Sequence, residues 1–238
     1  AHTRVGFLVN GSFDANWFLG SEPHVHGVFT REGDGLRVER RETVPFTLLL
    51  PATAASEPPR VILFQHGITA QRGDVLGLAD ILVGAGYALL AIDAPWHGLR
   101  ARGGPGDTMN RYTGEDGPDG FGDRSGSAVV IDFAGIMDFS GPLVEFHPAY
   151  FRDAMRQSAA DLVSAARTVR GDWAPLEVAA PELEGFRFSA EPMGFIGNSL
   201  GGMIGTMFVA VEPEVGATVL GVTGGSVLTL VVESPSFN

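Results

Sequence analysis

Met193-Gly194-Phe195-Ile196-Gly197-Asn198-Ser199-Leu200-Gly201-Gly202 decides how this chain is read. An apolar run leads into Gly197-Asn198-Ser199-Leu200-Gly201, and a helix-compatible stretch, Met203-Ile204-Gly205-Thr206-Met207-Phe208-Val209-Ala210, follows it. Strand, serine and helix in that order, with a glycine two residues either side of the serine, make the G-x-S-x-G pattern of a nucleophile elbow. There a sharp turn pushes the serine hydroxyl out beyond the carboxyl end of a sheet. A side chain at either glycine would meet the neighbouring strand or the returning helix. The plainer reading is a glycine-rich strand-to-helix turn without chemistry, and the flanking apolar periodicity favours the elbow over it.

Working outward, residues 60–65 form an almost unbroken apolar run, as in a strand buried on both faces, and it ends at His66-Gly67-Ile68-Thr69. The spacing then predicts a helix from Asp74, as N-cap, to Gly84, with Leu78, Ile81 and Leu82 on one face and Gly86 closing it. Residues 87–92 read as the next strand, so strand, helix and strand imply a parallel, right-handed crossover. Nearer the N-terminus, residues 5–9, 36–40 and 44–50 read as strands, with Glu32-Gly33-Asp34-Gly35 as a hairpin turn, and this part is expected to be antiparallel.

From Asp93 to His147 the pattern breaks into glycine, aspartate and proline, which predicts an insertion or lid over residues 94–148 with the apolar residues 129–139 folding back as a cover. Regularity returns over residues 151–170, where Met155, Ala159, Leu162, Val163, Ala166 and Val169 recur at helical spacing before Gly171. After the elbow, residues 217–222 read as one further strand. The 238 residues are expected to form one domain, and they contain no internal repeat.

Composition excludes several chemistries. There is no cysteine, so disulfides, thiolate nucleophiles and cysteine-ligated metals are out. All 16 basic residues are arginine against 28 acidic ones, and the net charge of −12 speaks against a nucleic-acid partner and against an anionic membrane surface. Two uncharged stretches, residues 194–211 and 215–232, are long enough to raise the question of a membrane span. Their glycines and hydroxyl residues, and the elbow inside the first, make them buried strands and helices instead. The opening Ala1-His2-Thr3-Arg4 suits a mature chain, so a secreted or cell-envelope location is expected.

With strands, crossover and elbow in place, the chain resembles the α/β-hydrolase superfamily, and within it the bacterial extracellular lipases of the virulence-factor type. The resemblance rests on Phe64-Gln65-His66-Gly67-Ile68-Thr69, Ala91-Ile92-Asp93-Ala94-Pro95-Trp96-His97-Gly98, Arg152-Asp153-Ala154-Met155-Arg156-Gln157-Ser158 and the elbow, and it covers residues 60–222. Asn198 departs from it, since such lipases often carry histidine there. The resemblance implies an α/β-hydrolase fold: a mostly parallel sheet with helices on both faces, N-terminal antiparallel strands and a lid-like insertion. It also implies that Ser199 attacks a carboxylic ester, of a lipid-like acyl group, to give an acyl-enzyme without any cofactor. The oxyanion would be held by the backbone N–H groups of Leu200 and Ile68.

Other candidates are read as structural. A histidine in the place of His66 commonly fixes its loop, the alternative being a catalytic base, and His97 beside Asp93 is read the same way. Asp107, Glu115, Asp116, Asp119 and Asp123 lack the spacing of a twelve-residue calcium loop and read as a solvated segment. His24 and His26 lack a third metal ligand and are read as surface residues.

The histidines pose the main difficulty. In this superfamily the acid and the base follow the nucleophile. Here 39 residues follow Ser199; they contain Glu212, Glu214 and Glu233 but no histidine, and all six histidines come earlier. The leading expectation is that this is the front part of a longer hydrolase, ended by processing or truncation, and that the last strands, the acid and the histidine come from a following segment or a complementary C-terminal polypeptide of the same precursor. A sheet stopping after Val222 would leave a strand edge and an apolar surface uncovered. The alternatives are an unorthodox hydrolase that uses His66 or His97, and a catalytically inactive hydrolase fold serving as a binding module.

Overall fold

The computed structural model describes residues 2–20, 27–54, 56–68, 70–100, 137–138, 145–146, 148–171, 173 and 180–224. The chain opens with β1 (Phe7–Trp17), a small hairpin of β2 (Arg31–Glu32) and β3 (Gly35–Leu36), and β4 (Arg40–Leu50). β5 (Val61–Gln65), a 3₁₀ stretch (Arg72–Leu78) running into the single α-turn of α1 (Ala79–Leu82), and β6 (Ala88–Ile92) follow. The short pair β7 (Met137–Asp138) and β8 (Glu145–Phe146) precedes α2 (Pro148–Val169), and β9 (Met193–Asn198), α3 (Leu200–Val211) and β10 (Val215–Gly221) complete the described chain.

Six strands form one mixed sheet in the order β1-β4-β6-β5-β9-β10. β6, β5, β9 and β10 are parallel, while β4 runs antiparallel to both β1 and β6. β5 is central, with β6 on one side and β9 on the other, so the strand order reverses at its carboxyl end. In open α/β sheets that reversal opens the crevice where sites form.

The apolar alternation within β5 builds two cores. Val61 and Leu63 face α2 and α3, joined by Leu90, Leu162, Phe195 and Phe208. Ile62 and Phe64 face the other way, onto Val75, Ala79 and Val83. Helices therefore cover both faces, as expected.

Several local expectations are corrected. The strand expected at residues 5–9 continues to Trp17: Phe7, Val9, Phe13, Ala15 and Trp17 all turn to the core side, while Leu8, Asn10, Ser12, Asp14 and Asn16 face out. Residues 37–39 belong to no strand, and β4 begins at Arg40. Asp74 is not an N-cap. The cap position is Gln71, without a side-chain hydrogen bond; the segment winds as 3₁₀ over Arg72–Leu78, its buried side chains toward the sheet are Val75, Ala79 and Val83, and Ile81 is 73% exposed.

Both ends of the stretch expected as an insertion, residues 94–148, fall on described residues. Ala94, Trp96, His97 and Arg100 are buried, so residues 94–100 belong to the core, and residue 148 already belongs to α2. Residues 101–136, which carry the acidic cluster, lie outside the described residues, as do His24 and His26. Among the described residues no group of three His, Asp or Glu side chains could hold a metal, and no helix is long and apolar enough to cross a membrane.

Candidate active site

Ser199 stands between the last residue of β9 and the first of α3 with φ 52° and ψ −114°. Serine rarely adopts this backbone conformation, which costs about 1–3 kcal/mol and persists only where the surroundings enforce it. Three contacts do so. The Ser199 N–H donates to Gly221 O at 2.8 Å, which ties the turn to β10, and Ser199 O accepts from the Gly202 and Met203 amides at 2.9 and 3.2 Å, which starts α3. The third is the close packing at Gly201, where a Cβ would run into the carbonyl oxygens of Gln65 and His66. The spacing of glycines seen in the sequence is thus a packing requirement of β9, α3 and the end of β5. Gly201→Ala should cost 1–3 kcal/mol or more, about what overpacking costs. Urea unfolding measures it, and an unchanged midpoint would contradict the packing.

The loop after β5 closes on the elbow. A Cβ at Gly67 would sit 3.3 Å from both Ser199 Cβ and Asn198 O, so only glycine admits this approach without a shift. The structure therefore brings together Ser199, the first helical residue Leu200 and the loop carrying Ile68. Leu200 is buried and Ile68 partly buried. A cleft of about 520 Å³ opens beside them, on the α1 side of the sheet, lined by Phe64, Leu78, Ile196 and Val219 with Asn198 and Asp74 at its polar edge.

His66 holds the loop from beneath. Its Nδ1 donates to Gly67 O at 2.7 Å and its Nε2 accepts from the Ala94 N–H at 3.0 Å, which assigns the neutral δ tautomer and leaves neither nitrogen for proton transfer. His97 lies beside it with ring centroids 4.9 Å apart and the rings tilted by 48°, and donates from Nδ1 to Pro95 O at 2.9 Å. Burial, with Arg72 and Arg100 nearby, lowers the His66 pKa to about 4. Burial, with His66 nearby, lowers that of His97 to about 3.

Both imidazoles are neutral in the fold and titrate near 6.5 when unfolded, so between these values the unfolded chain binds more protons and stability falls as pH falls. His66 alone should cost about 2 kcal/mol between pH 7.5 and pH 5. Denaturant midpoints across that range test it, and a flat profile would contradict the buried neutral histidines.

Beneath the histidines lies an ionic network that the sequence did not reveal. The Asp93 carboxylate takes the Arg72 guanidinium, the Arg72 N–H at 2.8 Å and the Leu99 N–H at 3.1 Å. Arg100 Nη1 donates to Asp93 O at 2.9 Å and to Asp161 at 2.8 Å, and its Nε reaches Glu42 at 3.3 Å. Burial opposes the Arg100 charge, but Asp161 and Glu42 outweigh it and raise its pKa.

Asp153 and Gln157, quoted above as part of a motif, work in the same way at a distance from the serine. Asp153 accepts the Phe29 N–H at 3.0 Å, and Gln157 takes the Phe18 N–H at 2.8 Å and donates to Asn16 O at 3.0 Å, fastening the N-terminal segment to α2.

A strained serine at the strand-to-helix turn of a mixed α/β sheet, with a glycine-bearing loop laid against it, defines the class of site. No family model and no curated protein matches the chain. Among solved structures it is similar to a cold-adapted esterase from an Arctic intertidal metagenomic library, at 21% identity and a TM-score of 0.44, covering 89% of this chain and 59% of that one. It is similar to a ferulic acid esterase from Streptomyces cinnamoneus, at 14% and 0.45, covering 90% and 58%. It is also similar to acetyl xylan esterase 1 from Thermoanaerobacterium sp., at 18% and 0.43, covering 78% and 44%. The chain thus spans three fifths or less of the length of each.

Proposed function

We propose that the chain is the nucleophile-bearing part of an α/β-hydrolase that cleaves carboxylic esters through an acyl-enzyme on Ser199. The observation that carries this reading is the strained backbone of Ser199 with Gly67 laid against its Cβ. A turn that costs free energy and holds a serine next to Gly67 and Asn198, which line a cleft, suits nucleophilic attack. In the reaction, Ser199 Oγ bonds to the ester carbonyl carbon, its proton passes to a base and on to the departing alcohol, and water then releases the acid. The Leu200 and Ile68 amides would take the developing oxyanion. The apolar lining of the cleft suits an acyl chain.

Among the described residues, His66 is not free to act as the base. His66 has both nitrogens engaged, and no histidine follows Ser199. We assign the acid and the histidine to a polypeptide from the same precursor that completes the sheet beside β10. Exposure of Val219 and Val222, at 59% and 81%, supports that placement. Denaturing intact-mass analysis of natively purified protein tests it. A second polypeptide containing a histidine and an acid is expected. A folded, active chain travelling alone would overturn the completed triad.

A further inference from the structure

A second cavity, of about 410 Å³, lies against the far end of α3. Met207, one of its lining residues, stands eight residues beyond Ser199, about 12 Å along the helix. The cavity is therefore separate from the elbow. One wall is a stripe of α2 that begins at Arg156 and ends at Arg167, with Ala160 and Val163 between them at helical spacing. The outward stripe of a surface helix is normally polar along its length. Here a cation stands at each end and the middle is small or apolar. The facing walls are Phe18 and Phe29, with ring centroids 5.6 Å apart, and Met207 and Val211 of α3, a helix without a charged residue.

The charges decide which ligand fits. Among the described residues no carboxylate lines the cavity, although the chain as a whole carries −12. Arg156 is engaged by Asp153 at 2.9 Å, whereas Arg167 is exposed and makes no ion pair among the described residues. We propose that this cavity binds a linear fatty carboxylate, its carboxylate on the Arg167 guanidinium and its alkyl chain along Val163, Met207 and Val211. The planar guanidinium meets a carboxylate through two parallel hydrogen bonds. An apolar lining with a few placed polar groups, at this volume, is the usual make-up of a small-molecule site. A ligand there leaves Ser199 open, so the site stands whether or not the proposed esterase activity does.

Calorimetric titration of the natively purified protein with laurate, below its micelle-forming concentration, tests the proposal. Laurate is expected to bind one to one. Arg167→Glu and Val211→Glu, both surface changes, should each weaken it at least tenfold, and dodecyltrimethylammonium, with the same tail and the opposite charge, should bind at least tenfold more weakly than laurate. Absence of laurate binding, an Arg167→Glu variant that titrates like the parent, or equal binding of the cationic amphiphile would overturn it.

Discussion

Replacing Ser199 with alanine is expected to lower the hydrolysis of a short p-nitrophenyl ester by about 10⁴-fold or more, since the nucleophile of a serine hydrolase acts as a unit with its base. The fold should survive: the Ser199 N–H to Gly221 O bond and the two bonds from Ser199 O into α3 are made by the backbone. Thermal unfolding should therefore be little changed. A glycine at the same place makes a sharper test. It is equally inactive, but it adopts φ 52° without strain, so Ser199→Gly should be more stable than the parent by about 1–3 kcal/mol. Strain retained at the cost of stability is the mark of a residue kept for its chemistry. A glycine variant no more stable than the parent would remove that argument.

The second large effect belongs to the ionic network. Asp93→Ala removes the partner of Arg72, a guanidinium 1% exposed, together with the acceptor of two backbone amides. Breaking a buried pair from one side costs about 3–5 kcal/mol. For a chain of this size that is a fall of about 6–20 °C in unfolding temperature. Removing both charges, as in Arg72→Met with Asp93→Leu, should recover much of the loss, because no unpaired ion remains in the interior. Circular dichroism melts of the three variants decide the matter. If Asp93→Ala costs less than about 1 kcal/mol, the pair behaves like one at the surface.

What the sequence made legible follows the range of the interactions involved. The elbow, β5, β6, α2 and β10 were readable because each rests on local periodicity with glycine stops. β1 reads short because Asn10, Gly11, Ser12 and Asp14 look like turn residues, yet Asn10, Ser12 and Asp14 are the outward half of a two-residue alternation whose inward half runs through Gly11 to Ala15 and Trp17. A count at period two across residues 7–17 would have found it. Leu78, Ile81 and Leu82 match the spacing of one regular helix where the structure has a 3₁₀ stretch and α1, and only packing against Ile62 and Phe64 selects Val75, Ala79 and Val83.

The ionic network was not legible at all. Arg72 and Asp93 are 21 residues apart and Arg100 and Asp161 are 61 apart, and no local pattern joins them. Of the candidate site, Ser199 and its glycines were readable. The tautomer of His66, which removes that residue from proton transfer, needed the Ala94 amide in place.

The central claim is that Ser199 is the acylated residue, and peptide-level mass spectrometry after treatment of the natively purified protein with a fluorophosphonate tests it most directly. The account predicts one adduct, on the peptide that contains Gly197-Asn198-Ser199-Leu200-Gly201, and its loss in the Ser199→Ala variant. An adduct on another residue, or ester hydrolysis by a protein that carries none, would contradict it.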